Sequence, residues 1–381
     1  MPDLSTQEIL RYGRHLVMPE VTIEGQKKLK EARVLCVGAG GLGSPTSLYL
    51  AAAGVGTLGL VEYDTVDLSN IQRQILYATA DVGRPKLDAA VERLSALNTD
   101  IGIVRHDLRL TSGNVLDIVA GYDVVVDGTD NFPTRYLVND ACVMSGKPNV
   151  YGSIFRFEGQ VSVFDAKRGP CYRCLFPEPP PPGAVPSCAE GGVLGVLPGI
   201  IGSLQALEVI KIVLGVGDAL VGRLVLFDAL AFEFRELSLK KDRHCVVCGE
   251  TPSITAPIDY DAFCQGPAAP AAGDEPARIS VREFAGLRAR NADVRLLDVR
   301  NTYEVDVAAI EGAVVIPLDQ LPTRIGELDP AQRYVVTCHH GPRAVRACQL
   351  LAAAGFERLE VLEGGLDAWS VEVDPTVARY G

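Results

Sequence analysis

The chain has 381 residues, 48% of them hydrophobic, which is enough for two or three domains with sizeable cores. Its net charge of −12 argues against nucleic acid as a main partner, because a phosphate backbone demands a basic face. The polar start shows no signal peptide, and the uncharged run 191–207 contains Pro198 and Gln205 before Glu208 and Lys211, so a cytoplasmic protein with no membrane span is expected.

Residues 5–31 read as helical turns. The apolar run 32–40, ARVLCVGAG, ends in glycines and reads as a strand entering a tight turn, with a helix following over 44–54. Strands are expected at 57–64, 101–110 and 122–130, with an amphipathic helix at 85–98. This alternation predicts a doubly wound, Rossmann-like, mainly parallel sheet. GQVSVFD (159–165) precedes a CxxC pair and a proline cluster; an interior helix follows at 202–215, then a hairpin over 222–240. Residues 251–277 are rich in Pro, Ala and Gly without periodicity and read as a linker between residues 1–250 and a second, smaller α/β domain at 278–381.

Gly38, Gly40 and Gly43 fit GxGxxG between a strand and a helix. Such a turn needs glycine, brings backbone close to phosphate, and aims a helix N-terminus at an anion. Glu62, near the end of the second strand, stands where a ribose-binding carboxylate belongs. These features suit NAD and ATP equally. Asn70, Arg73 and Lys86 lie just downstream, and a triphosphate needs such cations more than a dinucleotide does. Asp130 ends the next strand, where a carboxylate can hold the Mg2+ that accompanies ATP. Blander readings stay open: a surface charge at Arg73, a helix cap at Lys86, an N-cap at Asp130.

GAGGLGSP, DTVDLSNIQRQ, VGRPK and GTDN together resemble the ubiquitin-activating superfamily, closest to the molybdopterin-synthase adenylyltransferase type, over residues 5–250. The resemblance implies ATP-dependent adenylation of the C-terminal glycine of a small ubiquitin-like sulfur carrier protein ending in Gly-Gly. It implies nucleotide contacts from Gly41, Glu62, Ser69, Asn70, Arg73, Lys86, Asp130 and Asn131. Glu62 departs from the family's usual Asp. Arg14, in RYGR, is implied to reach the nucleotide of a partner subunit, hence a homodimer. The carrier carboxylate is already ionised at neutral pH, so the site works by positioning and charge neutralisation rather than by a general base.

Cys171, Cys174, Cys245 and Cys248 form two CxxC knuckles, a ligand set for a closed, structural tetrahedral Zn2+ site; a disulfide or a redox pair is the alternative. The adenylation-family resemblance also implies zinc here. Cys188 sits on a Pro/Gly-rich loop open to attack, and the resemblance implies a thioester or acyl-disulfide partner at that position. Cys36 and Cys142 read as core, Cys264 as an idle linker residue and Cys348 as a helix-face residue.

Cys338 ends an apolar strand in a short loop with Gly341, before a helix whose N-terminus and Arg343 would favour an anionic sulfur. A Cys-x5-Arg phosphatase loop would need Arg at position 344, where alanine stands. LLDVRNTYEVDVAAIEGAVVIPL and GFERLEVLEGGLDAW, with this loop, resemble the rhodanese sulfurtransferases over about residues 278–375. That implies a persulfide on Cys338 cradled by residues 339–343, with Ala344 replacing the usual Ser or Thr. Together the two resemblances imply that a tethered persulfide attacks the acyl-adenylate and yields a thiocarboxylate, in a molybdopterin, thiamine, cysteine or tRNA-thiolation pathway, with sulfur from an upstream donor such as a cysteine desulfurase. The competing readings are a nicotinamide oxidoreductase and a non-catalytic sulfur-relay scaffold that binds the carrier.

Overall fold

A computed structural model describes residues 3–181, 191–265 and 276–380. Cys188 lies outside the described residues. The chain divides into two units, residues 1–267 and 268–381.

The first unit is built on eight strands: β1 (Arg33–Val37), β2 (Thr57–Val61), β3 (Gly102–His106), β4 (Val124–Asp127), β5 (Asn149–Phe155), β6 (Glu158–Phe164), β7 (Arg223–Asp228) and β8 (Glu233–Ser238). Their order is β3-β2-β1-β4-β5-β6-β7-β8. The first five are parallel and the last three join antiparallel, so the expected hairpin over 222–240 is β7–β8. Strand order reverses between β1 and β4, so the loops after these strands lie together at the carboxyl edge of the sheet, where folds of this kind bind ligands.

Alternation along β1 shows why both faces are covered. Val34 and Cys36 join a core with Leu50, Ala90 and Val209 from helices Gly43–Ala53, Lys86–Leu97 and Val196–Leu214. Leu35 and Val37 point the other way, to Val119 and Tyr136 from helices Val115–Ala120 and Phe132–Ser145. Val196–Leu214 is long and apolar enough to cross a membrane by composition. Here it packs on helix Gly43–Ala53 and on β5 and β6, and its Gln205 donates to the carbonyls of Asp127 (2.8 Å) and Val150 (3.1 Å).

The stretch 251–277 differs from a bare linker. Tyr260–Gln265 is a helix seated on the first unit. Tyr260 is buried, and its hydroxyl donates to Asp140 at 2.9 Å. Cys264 packs against the same core.

The second unit holds β9 (Ala277–Ile279), β10 (Arg295–Asp298), β11 (Val314–Val315), β12 (Tyr334–Thr337) and β13 (Leu359–Leu362), all parallel in the order β11-β10-β12-β13-β9. Tyr334 and Val336 of β12 face one apolar cluster and Val335 the other, so this sheet too is covered on both sides. A capping box, Ser280 with Glu283, starts helix Val281–Ala289.

Candidate active sites

The glycine loop joins β1 to helix Gly43–Ala53. Gly38 has φ +89°, which a side chain rarely adopts, and a Cβ on Gly43 would lie 1.9 Å from the Gly38 carbonyl oxygen. These two glycines are demanded by the turn itself. Gly40 and Gly41 are not. A Cβ there would meet only ordinary neighbours, the Gln74 amide at 3.5 Å and Pro198 at 3.4 Å, in backbone open to any residue. The turn itself therefore gives no reason for glycine at these two positions.

Neighbouring segments converge on this loop. Glu62 is buried, and its carboxylate accepts from Ala39 N (3.1 Å), Tyr63 N (2.9 Å) and Asp64 N (3.1 Å), tying the end of β2 to the glycine loop. The Tyr77 hydroxyl donates to the Ala39 carbonyl at 2.9 Å. Arg73 starts one turn past Ser69, donates to the Ser69 carbonyl at 3.0 Å, and would lie 4.0 Å from a Cβ on Gly41. Asn70 reaches the Ser69 hydroxyl at 3.4 Å, and Ser69 itself is fixed by Asp67.

Lys86 is the first residue of helix Lys86–Leu97 and is 6% exposed. A cation at that end opposes the helix dipole. Its ammonium pairs with Asp64 at 3.3 Å, a carboxylate that is itself 59% exposed. A buried cation in so unfavourable a position fits a site that receives an anion.

The loop after β4 lies at the same sheet edge. Gly128 N donates to Val37 O at 3.0 Å, fastening it to β1. Asp130 and Asn131 are exposed there. The helix N-cap is Asn131, whose side chain accepts from Thr134 N at 3.0 Å, so the capping role weighed for Asp130 belongs to its neighbour. Beneath, Asp127 accepts from the Thr129 amide (3.0 Å) and hydroxyl (2.6 Å), and Arg135 donates to the Thr129 carbonyl at 2.9 Å while lying 5.0 Å over the Tyr151 ring. The sequence motifs did not single out Gln74, Tyr77, Asp127 or Arg135. Arg14 is exposed on the short helix Gly13–Leu16, outside this set of contacts.

The four paired cysteines do come together. Cys171 Sγ lies 3.9 Å from Cys174 and 3.6 Å from Cys245, Cys174 Sγ lies 3.4 Å from Cys248, and all four sulfurs fall within 4.8 Å of one another. Disulfide sulfurs would be about 2.05 Å apart. Four sulfurs around zinc, each about 2.3 Å from it, stand about 3.8 Å apart, so the cluster fits such an ion. The knuckle is held from behind by Arg173, buried and paired with Asp140 at 2.8 Å, with its guanidinium 4.7 Å over Tyr136 and 4.5 Å over Phe263. Burial pushes the Cys36 thiol up to about 12 and the Cys264 thiol up to about 11, which keeps both protonated and quiet.

In the second unit Cys338 follows β12 and accepts from the Gly341 amide at 3.0 Å. Gly341, at φ +118°, turns the loop into helix Pro342–Ala353. The Arg343 guanidinium is held by Glu304 at 2.7 and 2.8 Å, while the Gly341 amide donates to the sulfur. Ala344 is fully buried in the apolar cluster that contains Cys338. Leu366 N and Asp367 N donate to the carbonyls of Cys338 (2.9 Å) and His339 (3.1 Å), locking the loop to the last helix.

A doubly wound sheet with a glycine loop beside Arg73, and a cysteine loop on a small parallel sheet, are the frames of an adenylating domain and of a sulfurtransferase domain, and the comparisons with known proteins assign both. The chain belongs to the ThiF family, whose pattern matches residues 12–247, and carries a rhodanese-like domain over residues 280–372. It is 46% identical over 384 residues to the probable adenylyltransferase/sulfurtransferase MoeZ of Mycobacterium tuberculosis, covering 99% of this chain and 96% of that relative. It is 55% identical over 263 residues to a sulfur carrier protein adenylyltransferase of Thermus thermophilus, covering 68% of this chain and 97% of the relative. The crystal structure of E. coli MccB with ATP shares the fold, with a TM-score of 0.55 at 22% identity over 62% of this chain and 74% of the other. The chain is thus an enzyme with an ATP-using adenylation domain and a sulfurtransferase domain.

Proposed function

We propose that the first unit adenylates the C-terminal glycine of a small ubiquitin-like sulfur carrier ending in Gly-Gly, and that Cys338 then supplies sulfur to make a thiocarboxylate. The observation that supports this best is the pairing of two glycines that the turn does not require with a buried lysine at the wrong end of a helix. Gly38, Gly40, Gly41 and Gly43 would line the phosphates; Arg73 and Lys86 would neutralise them. Glu62 would accept from a ribose hydroxyl through Oε2, which takes only the Ala39 amide and keeps a lone pair, whereas Oε1 already accepts from Tyr63 N and Asp64 N. Ser69, Asn70 and Asn131 would complete the nucleotide pocket, and Arg14 would reach a partner's nucleotide in a homodimer. Asp130 would hold Mg2+, which shields phosphate charge; Cys171, Cys174, Cys245 and Cys248 would hold Zn2+, which cross-links the fold.

A carrier carboxylate oxygen attacks the α-phosphorus, the bond to the bridging oxygen breaks, and pyrophosphate leaves. The terminal sulfur of the Cys338 persulfide attacks the activated carbonyl and AMP leaves, giving a carrier acyl disulfide on Cys338. A thiol, for which Cys188 is the candidate, attacks the Cys338 sulfur and releases the thiocarboxylate; the resulting disulfide needs a dithiol reductant. The persulfide comes from an upstream donor such as a cysteine desulfurase, and the setting is cytoplasmic. Molybdopterin, thiamine, cysteine and tRNA thiolation are the candidate pathways. ATP–pyrophosphate exchange is the test, run with Gly-Gly-ending carriers and with the same carriers lacking the last glycine. Exchange that needs the intact tail supports the reading. Equal exchange with and without the tail refutes it.

A further inference from the structure

We propose that Tyr380 is a positioning residue for sulfur transfer, holding the Cys338 loop at both ends through His339 and Glu304. The inference rests on Cys338 as the sulfur-bearing residue.

The contacts are specific. The Tyr380 ring stacks on the His339 ring, with centroids 4.2 Å apart and planes 26° from parallel. His339 directly follows Cys338 and is 4% exposed, so its ring has little room to turn away. The Tyr380 hydroxyl accepts from Arg300 Nη1 at 2.7 Å and donates to Glu304 Oε1 at 3.2 Å. Glu304 is the carboxylate that grips Arg343, the residue at the far end of the loop. One aromatic side chain therefore touches the start of the loop directly and its end through a single carboxylate. Burial, the leading cause, pushes the Tyr380 phenol up to about 12, so it keeps its proton and can donate to Glu304 throughout the neutral range.

Two further ties support the arrangement. Arg300 is anchored by Asp298 at the end of β10 and by the Ala308 carbonyl at 2.9 Å, so the hydroxyl meets a fixed donor. Arg379 pairs with Asp367 at 2.8 Å, and the Asp367 amide holds the His339 carbonyl. The segment around Tyr380 is thus tied toward the loop by the side chain of its neighbour Arg379 as well as by its own ring.

Why this matters for chemistry follows from what faces the sulfur. Arg343 is committed to Glu304, and the Gly341 amide is the donor at Cys338 Sγ. A persulfide anion is then held by loop geometry, and small misplacement of amides costs rate. A residue that only filled space would affect how many chains fold, not how fast each loaded chain reacts.

The test uses the full chain, with thiosulfate as sulfur donor and cyanide as acceptor. Wild type, Tyr380→Phe, Tyr380→Ala and Cys338→Ser are compared by kcat per persulfide-bearing chain (counted by intact-protein mass spectrometry), by KM for thiosulfate and by thermal unfolding. Tyr380→Phe keeps the stack and loses the hydroxyl. It should lower kcat per loaded chain about five- to tenfold with KM nearly unchanged and a melting temperature lower by a few degrees, and Tyr380→Ala should lower kcat per loaded chain further. Wild-type kcat per loaded chain in Tyr380→Phe, with Cys338→Ser inactive, overturns the role of Tyr380 and leaves Cys338 standing. Transfer by Cys338→Ser overturns the reading of Cys338 and this inference with it.

Discussion

Gly40 and Gly43 sit three residues apart in one loop, and the structure separates their reasons for being glycine. A Cβ on Gly43 would lie 1.9 Å from Gly38 O and 2.8 Å from Gly38 C, both backbone atoms. Relief to 3.0 Å requires the helix and the loop after β1 to part by about 1.1 Å. Overpacking of that kind costs roughly 2–3 kcal/mol, and at roughly 2–4 °C per kcal/mol Gly43→Ala should melt about 5–10 °C lower. Gly40→Ala meets only the Gln74 amide at 3.5 Å in unstrained backbone. It should leave stability unchanged or raise it by about 0.4–1 kcal/mol, because alanine restricts the unfolded chain. On the proposed function, its methyl group would obstruct the approach of the phosphates. Calorimetric unfolding and ATP–pyrophosphate exchange on the two variants check this. Gly40→Ala should melt like the wild type and raise KM for ATP at least about tenfold, a loss of roughly 1.4 kcal/mol of binding. A Gly40→Ala enzyme with wild-type KM would refute the claim that the loop is open for phosphate, and a Gly43→Ala protein with wild-type stability would refute the close-packing argument.

Removing metal should cost the first unit far more than any surface change. Chelation, or Cys174→Ser, is expected to lower its melting temperature steeply, since a four-thiolate site contributes on the order of 10 kcal/mol; metal analysis should give one zinc per chain, and an unchanged melt after metal loss would refute the site. Asp130 is exposed, so Asp130→Ala should abolish pyrophosphate exchange while melting within about 1 °C of wild type, read by the same two assays. Burial opposes ionisation of Glu304, but hydrogen bonds from Arg343 and the Asn301 amide outweigh it and hold its carboxyl below the ordinary 4.5. A depressed carboxyl contributes stability that is fully present above its unfolded value and is lost as pH falls through the folded one. The stability gap between wild type and Glu304→Gln, measured by denaturant unfolding, should therefore be constant at neutral pH and shrink below pH 4.5; a gap that widens on acidification refutes the pairing.

Much of the first site was legible because its chemistry is local in sequence. The glycine spacing, Glu62, Arg73 and Lys86 all fall within about fifty residues, and the parallel fold brings consecutive strand ends to one edge. Periodicity also found β1, β2 and the β7–β8 pair, where apolar runs are bounded by turn residues. It did not single out β5, whose NVYGSIF carries Gly152 in the middle. That glycine is needed because a Cβ there would lie 2.6 Å from Gln205, a contact between residues 53 positions apart that no local pattern reveals. The composition of 251–277 misled for a related reason. Tyr260 and Phe263 are two aromatic residues in a stretch of Pro, Ala and Gly, and they pack against Tyr136, Arg173 and Asp140, partners brought together by helix Phe132–Ser145 and the first cysteine knuckle.

The charge network of the second unit shows the same limit from the side of function. Arg343 is adjacent to the cysteine loop and reads from sequence as a cation for the sulfur. In the fold it is claimed by Glu304, which precedes it by 39 residues, and Glu304 is shared with Tyr380, 37 residues beyond Arg343. What sequence spacing assigns to a charge on the substrate, the structure assigns to the loop's shape. A guanidinium with two short bonds to a buried carboxylate is an anchor, and releasing it would leave Glu304 buried without its main counter-charge, which is costly. The Cys338 sulfur accepts from the Gly341 amide, and the placement of that loop depends on residues far from it in the chain. That dependence is why sequence spacing could propose the cysteine but not the Glu304 and Tyr380 contacts around its loop.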